Sequence, residues 1–219
     1  MVQAILGGRK TQTRRVINPQ PESHHWEQIE GHQLHMSMFE TSKGFCAKFF
    51  HSIPGNTDEW MWRRSPYGKP GDLLWVRETW AQIKNKAGER KLVYAAAGKE
   101  NIHIGYPCSW SWKPSIHMPK KFCRIWLKVK DIRVERLQDI SNIDALSEGV
   151  SILDPDVVRP GYYEECAVAF GDCKKPPLGP GPIERFQYLW DSINKKDGPD
   201  ISWKTNPWVW VIEFERIER

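Results

Sequence analysis

Two stretches of strict alternation constrain the architecture of this chain more than any other feature. CRIWLKVKDIRVERL (123–137) sets Ile125, Leu127 and Val129 against Arg124, Trp126, Lys128 and Lys130. NPWVWVIEFERI (206–217) sets Trp208, Trp210, Ile212 and Phe214 against Val209, Val211, Glu213 and Glu215. A period of two belongs to a strand that buries one face, so both segments predict long β-strands, the first with a kink near Asp131. DLLWVRETWAQI (72–83) reads as another strand, with Leu74, Val76, Glu78 and Trp80 on one face, and KLVYAAA (91–97) as its antiparallel partner.

Helical signals are short and lie between these strands. Val2, Ile5 and Leu6 recur at helical spacing over residues 1 to about 8, and Gly7-Gly8 stops that turn before an extended KTQTRRVI segment. DISNIDALSEGV predicts a short helix capped by Ser141, with Asp144 three residues on and Gly149 placed to end it. IERFQYLWDSINKK (183–196) carries Phe186, Leu189, Trp190 and Ile193 on one stripe of an amphipathic helix. Strands that bury a face without βαβ alternation predict an α+β, mainly β fold: a small mixed, mostly antiparallel β-barrel with flanking short helices. At 219 residues one domain over 1–219 is expected, with loop-rich insertions at about 18–70 and 150–182 and a hairpin around 33–50 in the first.

Composition narrows the function classes. Hydrophobic residues at 40% and charged residues at 27% argue against wholesale disorder, although mean hydropathy is −0.60. Five cysteines (Cys46, Cys108, Cys123, Cys166, Cys173) contain no C-x-x-C pair, and the seven histidines complete no metal motif, so neither a disulfide framework, a metal nor a cofactor is expected. Without an apolar run of about 20 residues or a signal-peptide pattern, the expected location is cytoplasmic and reducing, with no membrane partner. A net charge of +5 favours an anionic partner, and twelve tryptophans, most of them expected in the core, leave some to stack on a base.

The residues that carry chemistry cluster near the start. GGRKTQTRR places Arg9, Lys10, Thr13, Arg14 and Arg15 within a few positions behind a glycine pair. Arginine forks suit phosphates, although the same three arginines read equally well as a solvated face. On a regular strand Lys10 and Thr13 point to opposite sides, so they converge only if the backbone turns between them. In the WVRETW strand an Arg–Glu pair reads first as cross-strand stabilisation, but Glu78 falls on the apolar face and needs a cationic partner there; Lys10 or Arg15 would supply it, with Arg77 beside it and Trp80 as a stacking wall. WSWKPSIHMPKK holds Trp112 and His117 in a proline-bounded loop that could set an imidazole at a pocket rim, against the plainer reading of a structural loop histidine. Lys120, Lys121, Arg124, Lys128 and Lys130 extend a basic stripe, compatible with nucleic-acid backbone contacts or with an ordinary solvated face.

G-R-K-T-Q-T-R-R (Gly8 to Arg15) resembles the G-x-K-x-x-E-x-R signature of ASCH domains, a PUA-like β-barrel family associated with RNA and modified nucleosides, with Thr13 where many members carry Glu. GDLLWVRETW, LQDISNIDALSEGV and NPWVWVIEFERI resemble its GD-x-[L/V]-W-V strand, short helix and closing strand in the same order; KPSIHMP and NPWVWV are similar to phage and prophage ASCH-like proteins often labelled morphogenetic. Relatives of that type carry a short strand before the first helix, and this sequence opens at the helix, so either its start is truncated or the strand is lacking; a lacking strand would leave a ladder edge beside the site. I-L-G-G-R-K-T-Q-T-R-R is also similar to bacterial acetylcytidine amidohydrolases, and that resemblance implies a catalytic Lys10, Thr13 and Glu148. Lysine would take the threonine proton, glutamate would orient it or protonate the leaving amine, and Arg15 or a backbone N–H would hold the oxyanion. The implied activity is hydrolysis of an exocyclic amide on a modified, acetylated-cytidine-like pyrimidine nucleoside, in a bacterial or phage-infected host. The rivals are a non-catalytic module that binds single-stranded or modified nucleic acid, and a ribonuclease; the plainer reading of Lys10 and Glu148 is an ion pair that ties the first strand to the middle helix.

Overall fold

The computed structural model describes residues 1–21, 34–42, 44–51, 60–84, 87–97, 111–150, 181–194 and 200–218. The loop-rich stretch predicted for 150–182 lies almost wholly outside them, as do Cys108, Cys166 and Cys173. The chain begins with helix α1 (Val2–Leu6) and strand β1 (Gln12–Val16). Strands β2 (Leu34–Thr41), β3 (Gly44–His51) and β4 (Trp60–Arg64) follow, then β5 (Leu73–Trp75), β6 (Trp80–Lys84) and β7 (Arg90–Tyr94). The last elements are β8 (Trp126–Arg136), helix α2 (Asn142–Ser147), helix α3 (Pro182–Asn194) and β9 (Trp208–Ile217).

The two alternating stretches form the centre. A four-stranded antiparallel sheet runs β1-β9-β8-β5, with Trp126 opposite Ile217 and Arg136 opposite Trp208. A bulge between Val129 and Asp131 explains the kink read from KVKDIRV. It advances the side-chain parity by one, so Leu127 and Val129 before it and Ile132 and Val134 after it are all buried in one core. β9 is buried on both faces. Trp210, Ile212 and Phe214 enter that core, while Val209 and Val211 pack with Phe186 and Trp190 of α3 and Ala145 of α2. A strand covered on both sides has no polar face to keep, which accounts for the unbroken apolar run WVWVI.

The sequence-predicted barrel is not what the described strands make. The hairpin predicted near 33–50 is β2–β3, but β4 joins it in a sheet of its own, and β6–β7 form a third. Among the described residues these three sheets do not close into a barrel. The reason lies in residues 72–83, read from sequence as one strand. The β5 ladder with β8 ends at Trp75 opposite Trp126, and Trp80 starts a different ladder with Tyr94 while bridging Lys113. The architecture is mainly β, antiparallel, with few helices. Among the described residues, Trp80, Trp190 and Trp210 are buried, Trp75, Trp112, Trp126, Trp203 and Trp208 are half-buried, and Trp62 is exposed.

Candidate functional site

The glycine pair behind α1 sets the site's geometry. Gly8 takes a left-handed backbone (φ 70°), and the amides of Arg9 and Lys10 both donate to the Ala4 carbonyl, folding the chain back on the helix. Lys10 then pairs with Glu148 as an isolated bridge, and the Thr11 amide donates to the Ser147 carbonyl. From the Thr11 carbonyl onward the chain pairs with β9 instead, accepting from the Phe214 amide. The segment therefore changes partners at Thr11. That switch lets Lys10 and Thr13 line the same cavity, although three residues apart on a regular strand they would face opposite ways.

Glu148 arrives by a well-determined route. The Ser141 hydroxyl accepts from the Asp144 amide and the Asp144 carboxylate accepts from the Ser141 amide, a complete capping box that starts α2. Glu148 caps the other end, and Gly149 at φ 86° turns the chain away. Gly149 is packed so closely that a Cβ there would lie 2.9 Å from the Cβ atoms of both Ala4 and Lys10. α1, the Lys10 segment and the end of α2 thus meet at one backbone position.

At the centre, Lys10 Nζ donates to Glu148 Oε2 at 2.7 Å and to the Glu148 carbonyl at 2.8 Å, with both residues only 5% exposed. Burial pushes the Lys10 amine below its ordinary value of 10.5; Glu148 pulls it back up, and Arg15 and Arg14 push it further down. Arg14 stands behind the carboxylate. Its guanidinium reaches Glu148 at 3.3 Å, Glu135 at 3.0 Å and Asp144 at 3.6 Å, and Arg133 ties Glu135, Asp144 and Glu213 into the same network. Burial alone would raise the Asp144 carboxyl, but hydrogen bonds to Ser141 and the charge of Arg14 outweigh it and hold the group below its ordinary value.

A cavity of about 350 Å³ opens on the other side of Lys10. Lys10, Thr13, Arg15, Tyr67, Trp75 and Arg77 line it together with apolar side chains from α1, β5, β8 and β9, and among the described residues no carboxylate does. Glu148 lines instead an adjoining recess of about 60 Å³ beneath α3, which shares Lys10, Thr13 and Arg15 with the larger cavity, so these side chains stand between Glu148 and the larger space. A wider cleft of about 800 Å³ lies along β2–β3 and Gly68–Asp72; it shares no lining residue with the Lys10 cavity, and its Lys69 is paired with Glu40.

The other residues singled out from sequence divide sharply. Arg14 is buried at 2% exposure among carboxylates, so it contacts protein and not a phosphate. Glu78 does have a cationic partner, but it is Arg124, which donates to both carboxylate oxygens at 2.8 Å; neither Lys10 nor Arg15 takes that place. Arg124 accordingly leaves the basic stripe and also lies 4.3 Å from the Tyr94 ring centre. Trp80 is 4% exposed, packed against Phe122 with Lys113 over its ring, and offers no stacking wall. Trp112 packs beside Ala81, Ile83 and Val93. Arg9 and His117 are exposed, and neither lines the Lys10 cavity. Arg77 does line it, lies 5.4 Å from the Trp75 ring centre and donates to the Ile116 carbonyl.

Tyr67 and Trp75 are the aromatic residues of the cavity that sequence reading missed. Tyr67 sits in the turn-rich SPYGKPGD, where nothing marks it, and Trp75 occupies the strand face read as pointing away. Among the described residues no group of three His, Cys, Asp or Glu side chains could hold a metal, and no helix is long and apolar enough to cross a membrane. No protein-family model, curated protein or solved structure matches the chain.

Proposed function

We propose that the cavity beside Lys10 recognises a pyrimidine base, and that Lys10 and Thr13 hydrolyse an exocyclic amide on it, within a PUA-like fold of the ASCH kind. The observation that carries the reading is a desolvated amine on the wall of a cavity it shares with a hydroxyl, backed by one buried carboxylate. The lining suits a base: Tyr67 and Trp75 supply aromatic surface, Thr13 and Lys10 supply polar groups, and the volume lies within the 300–1,000 Å³ usual for small-molecule sites. The order α1, β1, β5, α2, β9 agrees with the order of the ASCH-like motifs.

Lys10 Nζ already makes two donations to Glu148. An unprotonated amine satisfies both with its two hydrogens and keeps a lone pair for the Thr13 hydroxyl proton. The Thr13 oxygen then bonds to the acyl carbon, the C–N bond breaks, and the proton held on Lys10 passes to the departing exocyclic nitrogen. Water hydrolyses the threonine ester, releases the carboxylic acid and restores the hydroxyl. Glu148 is a positioning residue here, because it lines the recess behind Lys10 and not the larger cavity. A positioned base of this kind contributes roughly 10²–10⁴-fold.

The test is incubation of the purified chain with N4-acetylcytidine, with cytidine release followed by chromatography. Turnover that disappears in Lys10→Ala and in Thr13→Val supports the mechanism, and turnover that persists in either removes that residue from it. Saturable binding of acetylcytidine with no turnover would leave a binding module. Exposed Lys128 and Lys130 on β8 are the observation that favours that second reading, as backbone contacts for single-stranded nucleic acid.

A further inference from the structure

The charge on the cavity wall is unbalanced. Lys10, Arg15 and Arg77 line it without a carboxylate among the lining residues. Glu148 pairs with Lys10 from the adjoining recess, which Arg15 also lines, but among the described residues neither Arg15 nor Arg77 forms an ion pair. Among the described residues the exposed Arg15 side chain makes no hydrogen bond or ion pair, and the Arg77 side chain makes one donation, at 3.3 Å, to the Ile116 carbonyl while lying over Trp75. Most of the donors of both guanidinium forks are thus uncommitted at the edge of an aromatic-lined space. Arg15 already acts on that space, since its charge pulls the Tyr67 hydroxyl and the Lys10 amine downward against or along with burial.

Strand geometry relates these donors to the proposed chemistry. Thr13 and Arg15 are two apart on β1 and share its face, about 6.5–7 Å from one another along the strand. Arg77 follows the end of β5, two residues beyond Trp75. An anionic group held by these arginines would therefore sit to one side of Thr13, displaced along β1, with the aromatic rings close by.

We propose that the ligand of this cavity is a mononucleotide, whose phosphate is held by Arg15 and Arg77 while its base lies against Tyr67 and Trp75. This rests on the base-recognition reading above and names its substrate class: the phosphorylated form of the pyrimidine in preference to the free nucleoside, which binds more weakly. Planar guanidinium forks pair with phosphate oxygens through parallel hydrogen bonds, which an uncharged ribose hydroxyl does not match.

Calorimetric titration of the full chain at fixed ionic strength with cytidine 5′-monophosphate, cytidine, ribose 5-phosphate and inorganic phosphate tests it. The expected result is that the monophosphate binds at least ~10-fold more tightly than cytidine, as charge-assisted hydrogen bonds require. Arg15→Gln and Arg77→Gln should each narrow that gap, and the double variant should bring the monophosphate down to the affinity of cytidine. Circular dichroism and thermal melting would show the variants folded, as expected for arginines whose side chains carry no internal ion pair.

Equal affinity for monophosphate and cytidine in the unaltered chain overturns the phosphate assignment and leaves base recognition standing. An unchanged gap in the double variant overturns it as well. Binding of ribose 5-phosphate or inorganic phosphate, lost in the double variant, with no gain from the cytosine base, keeps the anion site and sinks the base reading. No binding of any of the four sinks both.

Discussion

Glu148 holds two buried cations, Lys10 and Arg14, and the consequences of removing it differ from those of removing either partner. Glu148→Gln keeps the shape but leaves two charges without that carboxylate in a site where Lys10 is 5% and Arg14 2% exposed. Breaking a buried pair in this way costs about 3–5 kcal/mol. Lys10→Met should cost less, because Arg14 still neutralises the glutamate; comparison of urea midpoints checks the order. The lowered Lys10 value also makes stability depend on pH. Below its folded value both states hold the proton and the folded chain bears the full penalty of burying the charge. Between that value and 10.5 the unfolded chain binds more protons, so stability rises with pH through this window. Lys10→Met should flatten that rise. An identical slope in the variant would mean that Lys10 is not the group responsible.

At the scale of elements, the site depends on a contact between α1 and the end of α2 that leaves no room for a methyl group. Gly149→Ala would place a Cβ 2.9 Å from Ala4 and Lys10 and would force a left-handed backbone on alanine. The backbone strain alone costs about 1–2 kcal/mol, which for a chain of this size lowers Tm by about 2–8 °C. Turnover should fall further than the lost stability explains, because the displaced atom is the Cβ of Lys10 itself; activity measured well below Tm separates the two. The elements were largely legible in advance. Ser141, Asp144 and Gly149 announce a capped helix through local chemistry, and the parity change in KVKDIRV announces the bulge of β8. The break between β5 and β6 was not legible: LLWVRETWA alternates straight through it, and only pairing with different partners splits it.

At the scale of the whole molecule, the cations that line the Lys10 cavity and those exposed on β8 face different ways. On β8, Lys128 and Lys130 are exposed while their neighbours Leu127 and Val129 are buried, and Leu127 lines the Lys10 cavity. Alternation therefore turns these lysines to the opposite side of the sheet from the cavity. If the ligand is a mononucleotide, Lys128→Gln with Lys130→Gln should change its affinity by less than ~2-fold at physiological ionic strength, where exposed charges are screened beyond about 8 Å. Titration with cytidine 5′-monophosphate checks this. A large loss, or a steep fall in affinity for single-stranded RNA with salt that these two lysines control, would shift the function toward a polymer lying across β8.

The sequence by itself determined the capped helix α2, the amphipathic helix α3 and the long strands β8 and β9, because helix caps and hydrophobic periods are set by neighbours in the chain. It also marked Lys10, Thr13 and Glu148, through a motif and not through geometry. Only the tertiary structure decided the partners. Glu78 went to Arg124 and not to Lys10, Arg14 was enclosed by Glu135, Asp144 and Glu148, and Trp80 was buried, whereas Tyr67 and Trp75 came to line the cavity. A buried charge takes the opposite charge that the fold brings within a few ångströms, and that distance depends on pairing between segments 46 to 134 residues apart in the chain, which no local pattern records.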